Sequence, residues 1–189
     1  MFFMFFGLYL TDNINGIDNY FSNLIISLRS ADFTKFFIFI TFLAGTKFVI
    51  IMMLLFVIIY IIRKKNIFLI FNMIITGEVI LNNVIKILIG RERPSILHLV
   101  VETSYSFPSG HAMVSVVMYG FLIYLINKTN INKYLKLFLD GLLIVLIFLI
   151  MMSRIYLGAH YFSDVIAGAS LATSYLLLLI DILERRNVL

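Results

Sequence analysis

The sequence predicts an all-α fold, an integral membrane helical bundle, and three observations carry that prediction. Of 189 residues, 62% are hydrophobic and 13% charged, with a mean hydropathy of +1.05. A soluble globular domain is about half apolar and about a quarter charged. Five apolar runs, near 36–62, 67–89, 111–127, 134–156 and 161–183, are suited to crossing a bilayer core, which needs ~20 residues. Basic residues cluster at alternate connections between those runs, as the ends of spans do. The length fits one domain, residues 1–189. Without cysteine there is no disulfide framework and no thiolate metal site.

Taken in order, the apolar stretch Met1–Leu10 is too short for a full crossing. It is expected to be a short or truncated first span, with no small-residue cleavage site behind it. Residues 11–35 are more polar, with Ile17, Phe21, Leu24, Ile25 and Leu28 at helical spacing. That pattern predicts an amphipathic surface helix. The five long runs follow as spans. Arg63, Lys64 and Lys65 form one basic group, Lys128, Lys133 and Lys136 a second, and Arg185 and Arg186 a third. Alternating spans put all three on one face, which the positive-inside rule makes cytoplasmic. The 90–110 connection and the 156–160 turn then lie on the opposite face, although they carry Arg91, Arg93 and Arg154. Cations there oppose the rule and are better explained by an anionic ligand.

Three short clusters at span edges hold most of the reactive side chains: 86–94 (KILIGRERP), 108–111 (PSGH) and 153–164 (SRIYLGAHYFSD). They contain two of the three histidines and both prolines. Pro94 biases Arg93 away from helical geometry, so the span carrying Lys86 should end here. Pro108, Ser109 and Gly110 form a helix start whose free N–H groups suit an anion, and His111 at its edge can exchange protons near neutral pH. His160 and Asp164 stand four apart and would share a helix face. A carboxylate that holds one imidazole nitrogen leaves the other free as a nucleophile. Arg154 supplies a guanidinium for phosphate oxygens, and Gly158 permits the tight turn. Each cluster alone also admits a plainer reading: a snorkelling lysine with interfacial arginines, a capped helix start, or a capping His–Asp pair.

Together the clusters read K-x6-RP, PSGH and SR-x5-H-x3-D. This resembles the type 2 phosphatidic acid phosphatase superfamily over residues from about 12 to 183, with Lys86, Arg93, Pro94, Pro108, Ser109, Gly110, His111, Ser153, Arg154, His160 and Asp164 at the defining positions. Length and span layout resemble its bacterial membrane branch, which includes phosphatidylglycerophosphate and undecaprenyl-pyrophosphate phosphatases. The resemblance implies six transmembrane helices with short surface helices. Where many members read R-P-R-P, this chain has Arg91-Glu92-Arg93-Pro94, which sets a carboxylate beside the cage.

The resemblance also implies a mechanism. His160 attacks phosphorus, Asp164 holds its ring, and His111 protonates the leaving oxygen and then activates water. Lys86, Arg93, Arg154, Ser109 and Gly110 hold the phosphate. No metal and no cofactor are expected. The expected substrate is a phosphate monoester or diphosphate of a lipid: undecaprenyl pyrophosphate, phosphatidylglycerol phosphate or phosphatidic acid. The expected setting is a bacterial cytoplasmic membrane with the site facing outward, and the expected partners are the bilayer and its lipids, not nucleic acid. Two alternatives are a lipid phosphotransferase using the same phosphohistidine and a non-catalytic transporter or binding protein for anionic lipids. No internal repeat of the transporter kind is visible. His98 reads as an outer-loop residue, Glu78 as a mid-span carboxylate, either paired with Asn or Lys neighbours or neutral, and Glu102 and Tyr105 as neighbours of a head group or of water.

Overall fold

The computed structural model describes Gly7, residues 14–95 and residues 98–186. The short first span expected over Met1–Leu10 therefore lies outside the described residues apart from Gly7. Seven helices fall wholly among the described residues, with no strand: α1 (Asn15–Ile26), α2 (Ala31–Phe42), α3 (Thr46–Arg63), α4 (Ile67–Ile89), α5 (Gly110–Asn127), α6 (Lys133–Tyr156) and α7 (Phe162–Arg185). Among those residues, five stretches are long and apolar enough to cross a membrane: Ala31–Arg63, α4, α5, α6 and α7.

The expected amphipathic helix is α1, but its inward face is rotated from the one the apolar spacing suggests. Ile17, Leu24 and Leu28 are exposed, while Asp18, Ser22 and Ile25 are buried. Next to lipid the protein's surroundings are apolar, so the greasy stripe faces outward and the polar stripe packs on protein. The run expected as one span over 36–62 is also interrupted. Leu43 to Gly45 separate α2 from α3, and the opened carbonyl of Leu43 accepts a hydrogen bond from Tyr119 Oη of α5 at 2.7 Å. A partner of that kind is what allows a backbone break inside an apolar stretch. The two halves then pack on different neighbours, α2 on α6 and α3 on α4.

Helix α5 is the centre of the bundle and touches α4, α6 and α7. Met113, Val117, Met118 and Phe121 are fully buried along it. Phe71 of α4 stacks on Phe56 of α3 at 3.8 Å between ring centroids and reaches Phe121 at 6.0 Å. Outside this core, Ile51, Leu54, Ile58, Leu137, Phe138 and Phe148 are exposed, as side chains facing hydrocarbon would be.

Helix α4 stops five residues before Pro94. Gly90, at φ 63°, takes the left-handed conformation that ends it, and its N–H bonds to Lys86 O. Gly158, at φ 77°, makes the expected turn between α6 and α7. Lys128 at the end of α5 pairs with Glu184 at the end of α7 at 2.6 Å, so the basic groups gather at one end of the bundle. The 90–109 segment and the 157–161 turn lie at the other end, and there the three clusters meet.

Candidate active site

His160 is not on a helix shared with Asp164. It lies in the turn before α7, and Asp164 stands in the first turn of α7, where it accepts the Tyr161 N–H at 3.0 Å and caps its own helix. The two still meet, with His160 Nδ1 3.6 Å from Asp164 Oδ2. Ser106 closes that gap. Its Oγ lies 2.5 Å from Asp164 Oδ2 and 3.4 Å from His160 Nδ1. A hydroxyl has one proton to give, and the carboxylate takes it. The Nδ1 of His160 must then carry the proton and donate to Ser106. On the other side of the ring, Arg93 Nη1 lies 3.3 Å from Nε2. Arginine can only donate, so Nε2 is the bare nitrogen. Both neighbours fix the same tautomer.

The imidazole is 2% exposed. Burial holds its pKa well below the ordinary histidine range, and the cations Arg154, Arg93 and Lys86 press it in the same direction. The ring is therefore neutral at neutral pH.

The cations come from three separate segments. Lys86, on the last turn of α4, donates to the carbonyl of Tyr105. Arg93 donates to Ala159 O at 2.7 Å and Ser104 O at 2.8 Å, which ties the loop after α4 to the turn before α7. Arg154, buried at the end of α6, donates to Thr41 Oγ1 at 2.6 Å and to Glu102. Glu102 also lies 3.8 Å from Arg93. It is thus neither simply solvated nor remote: its carboxylate sits between two guanidinium groups of the expected phosphate site.

Ser109 is the N-cap residue of α5, yet its hydroxyl does not cap the helix. Ser109 Oγ is buried with no hydrogen-bond partner, while its backbone N–H bonds to Asp164 O at 3.0 Å. Gly110 sits so close to Asn82 of α4 that a methyl group there would lie 3.1 Å from Asn82 Oδ1. Asn82 in turn donates to Pro108 O at 3.3 Å, so α4 positions the start of α5. Lys86, Arg93, Gly110, His111 and His160 line one cavity of about 390 Å³. Arg154 and Ser109 are not among the residues that line it. His98 bonds to Pro94 O at 2.5 Å and stays in the outer loop, and Glu92 is exposed.

Three residues of this site were not singled out from the sequence: Ser106, Asp18 and Arg91 in its structural role. Arg91 Nη1 bonds to Asp164 Oδ1 at 2.5 Å and Ser163 Oγ at 2.8 Å, its Nη2 bonds to Asp18 Oδ2 at 2.7 Å, and its guanidinium lies 4.2 Å from the Tyr161 ring centroid. Asp18 also accepts the Ser163 N–H at 2.8 Å. The available signal was the pattern Ile14, Asp18, Ser22, Ile25, a helical stripe with a carboxylate in it. Among the described residues, no group of three or more His, Asp or Glu side chains is arranged to hold a metal ion.

Fold and sequence both match known proteins. A transmembrane PAP2-type phosphatidylglycerolphosphate phosphatase from Bacillus subtilis superposes with a TM-score of 0.90 at 27% identity, covering 97% of this chain and 92% of that one. LpxE of Aquifex aeolicus shares the fold with a TM-score of 0.66 at 22% identity, over 85% of this chain and 93% of that one. Phosphatidylglycerophosphatase B of Bacillus subtilis is 40% identical over 96 residues, 49% of this chain and 46% of that protein, so the aligned part spans less than half of that relative's length. The PAP2 superfamily matches residues 65–187, a stretch that takes in every residue of the three motifs. As those motifs imply, this chain belongs to the PAP2 superfamily.

Proposed function

We propose that this protein is a metal-independent membrane lipid phosphatase that hydrolyses a phosphate monoester or diphosphate of a lipid through a phosphohistidine. The observation that carries the reading is the fixed tautomer of His160. Its bare Nε2 faces Arg93 in a cavity that also holds Lys86, Gly110 and His111. The Bacillus subtilis relatives, named as phosphatases of phosphatidylglycerophosphate, support the substrate class.

The lone pair of His160 Nε2 forms the N–P bond as the P–O bond to the lipid breaks. His111 gives its proton to the leaving oxygen. His111 then takes a proton from water, the oxygen attacks phosphorus, the P–N bond breaks and inorganic phosphate leaves. Negative charge on the equatorial oxygens is met by Lys86, Arg93, Arg154, the Gly110 N–H and the unpartnered Ser109 hydroxyl. Placing a phosphate between Arg93 and Arg154 requires Glu102 to yield part of its hold on them. The cations can carry the role that Mg²⁺ plays in other phosphoryl transfers.

The site lies at the end of the bundle opposite Arg63–Lys65, Lys128 and Arg185, which supports an outward-facing site in a bacterial cytoplasmic membrane. The test is phosphate release from phosphatidic acid, phosphatidylglycerol phosphate and undecaprenyl pyrophosphate in detergent with EDTA present. Turnover by the wild type and its loss in folded His160→Ala and His111→Ala are expected. Substantial turnover by purified His160→Ala would remove the phosphohistidine from the mechanism.

A further inference from the structure

The catalytic cavity does not end at the phosphate cage. It continues down between α3 and α4, with Val49 and Met53 on one side, Ile75 and Glu78 on the other, and Val114 of α5 behind. Ile50, Val79 and Ile80 at its mouth are exposed, so the cleft opens sideways toward lipid. This is the path on which the body of a lipid would lie while its phosphate occupies the cage.

One wall of the cleft is polar in a regular way. Glu78, Asn82 and Lys86 repeat every four residues and share one face of α4. Lys86 belongs to the cage, Asn82 lies ~6 Å below it and Glu78 ~12 Å below it along the helix axis. Glu78 is 1% exposed, lines the cleft, and neither of its carboxylate oxygens has a hydrogen-bond partner. An unpartnered carboxyl at this depth is costly and needs a ligand atom or a function. None of the catalytic steps above uses it.

We propose that Glu78, with Asn82 above it, forms a subsite for the oxygen-bearing glycerol portion of a glycerol-based lipid, and so determines substrate specificity. A glycerol-based lipid carries ester or hydroxyl oxygens beyond its terminal phosphate. A protonated Glu78 donates to an ester carbonyl, and an ionised one accepts from a hydroxyl. A polyprenyl phosphate is hydrocarbon from its first carbon and leaves both oxygens of Glu78 unmet. A site built to hydrogen-bond a substrate group discriminates strongly against the analogue that lacks it. This inference rests on the lipid phosphatase reading and names the lipid class that the same site prefers.

The test compares kcat/KM for diacylglycerol phosphate and for a polyprenyl phosphate in detergent, for the wild type, Glu78→Leu and Glu78→Gln. The wild type should favour the diacylglycerol phosphate. In Glu78→Leu the ratio of the two values should fall by about tenfold or more. Glu78→Gln keeps a donor and an acceptor, and the ratio should fall by only about threefold. If Glu78→Leu yields no folded protein, the Gln variant decides on the same ratio. Equal losses on both lipids would make Glu78 a structural residue and overturn the proposal, as would a wild-type preference for the polyprenyl phosphate. If the wild type releases phosphate from neither lipid, this inference falls, and the phosphatase reading falls with it if undecaprenyl pyrophosphate is also left intact. Turnover of both lipids with an unchanged ratio sinks this inference alone.

Discussion

Arg91 bonds to Asp18 at 2.7 Å while its other terminal nitrogen bonds to Asp164 at 2.5 Å, with the side chains of all three almost fully buried. One guanidinium thus joins a surface helix, the loop after α4 and the carboxylate that orients His160 through Ser106. Asp18 also receives the Ser163 N–H and hydroxyl, so α1 is clamped to the first turn of α7. Removing the arginine strands two buried carboxylates. Arg91→Ala is therefore expected to destabilise the protein by about 3–5 kcal/mol. Thermal unfolding in detergent measures this, and Arg91→Lys, which keeps the charge but not the two-pronged geometry, should recover only part of it.

Ser106 is expected to act through His160 rather than on the substrate. Ser106→Ala removes the relay that holds the proton on Nδ1, so the ring loses its fixed tautomer. The expected result is a fall in kcat of roughly tenfold or more with KM little changed, because the groups proposed to hold the phosphate stay in place. Steady-state kinetics on any accepted lipid phosphate separates the two parameters, and a rise in KM alone would assign Ser106 to binding.

The depressed pKa of His160 fixes the sign of one pH effect. In the proposed mechanism the nucleophile is the neutral ring, and burial followed by Arg154, Arg93 and Lys86 keeps it neutral well below the ordinary histidine range. The acid limb of kcat/KM assigned to His160 should therefore fall below pH ~6.5. Arg93→Gln removes one of the cations and should move that limb to higher pH while lowering the plateau. The linked contribution to stability has the same direction. It is present above the unfolded value near ~6.5 and is lost as pH falls through the lowered folded value.

Gly168 marks where α7 meets the PSGH segment. A methyl group added there would lie 3.0 Å from Ser109 O and 3.3 Å from both Ser109 N and Met113 Cγ. Two of those neighbours are backbone and cannot rotate away. Gly168→Ala should force α7 from the start of α5 and cost about 1–3 kcal/mol. Because Asp164 and Ser109 ride on these two segments, activity should fall with stability. An unfolding scan and a phosphate-release assay on the same sample test both.

The chain's own order of residues determined the all-α class, the spans at α4 to α7, and the motif positions Lys86, Arg93, Ser109, Gly110, His111, Arg154, His160 and Asp164. Periodicity and spacing along one chain carry that information, because hydrocarbon thickness sets span length and phosphate chemistry sets residue type. Tertiary structure alone decided the rest. The break at Leu43–Gly45 depends on a tyrosine 76 residues later in the chain. The burial of Asp18 depends on a partner 73 residues away, and the insertion of Ser106 between His160 and Asp164 depends on where a loop is held by Lys86 and Arg91. Sequence spacing places His160 and Asp164 together, but only packing shows that a hydroxyl joins them. The polar stripe of Glu78, Asn82 and Lys86 is written in the sequence, yet whether it faces lipid, protein or a cleft is set by how α3 leans on α4.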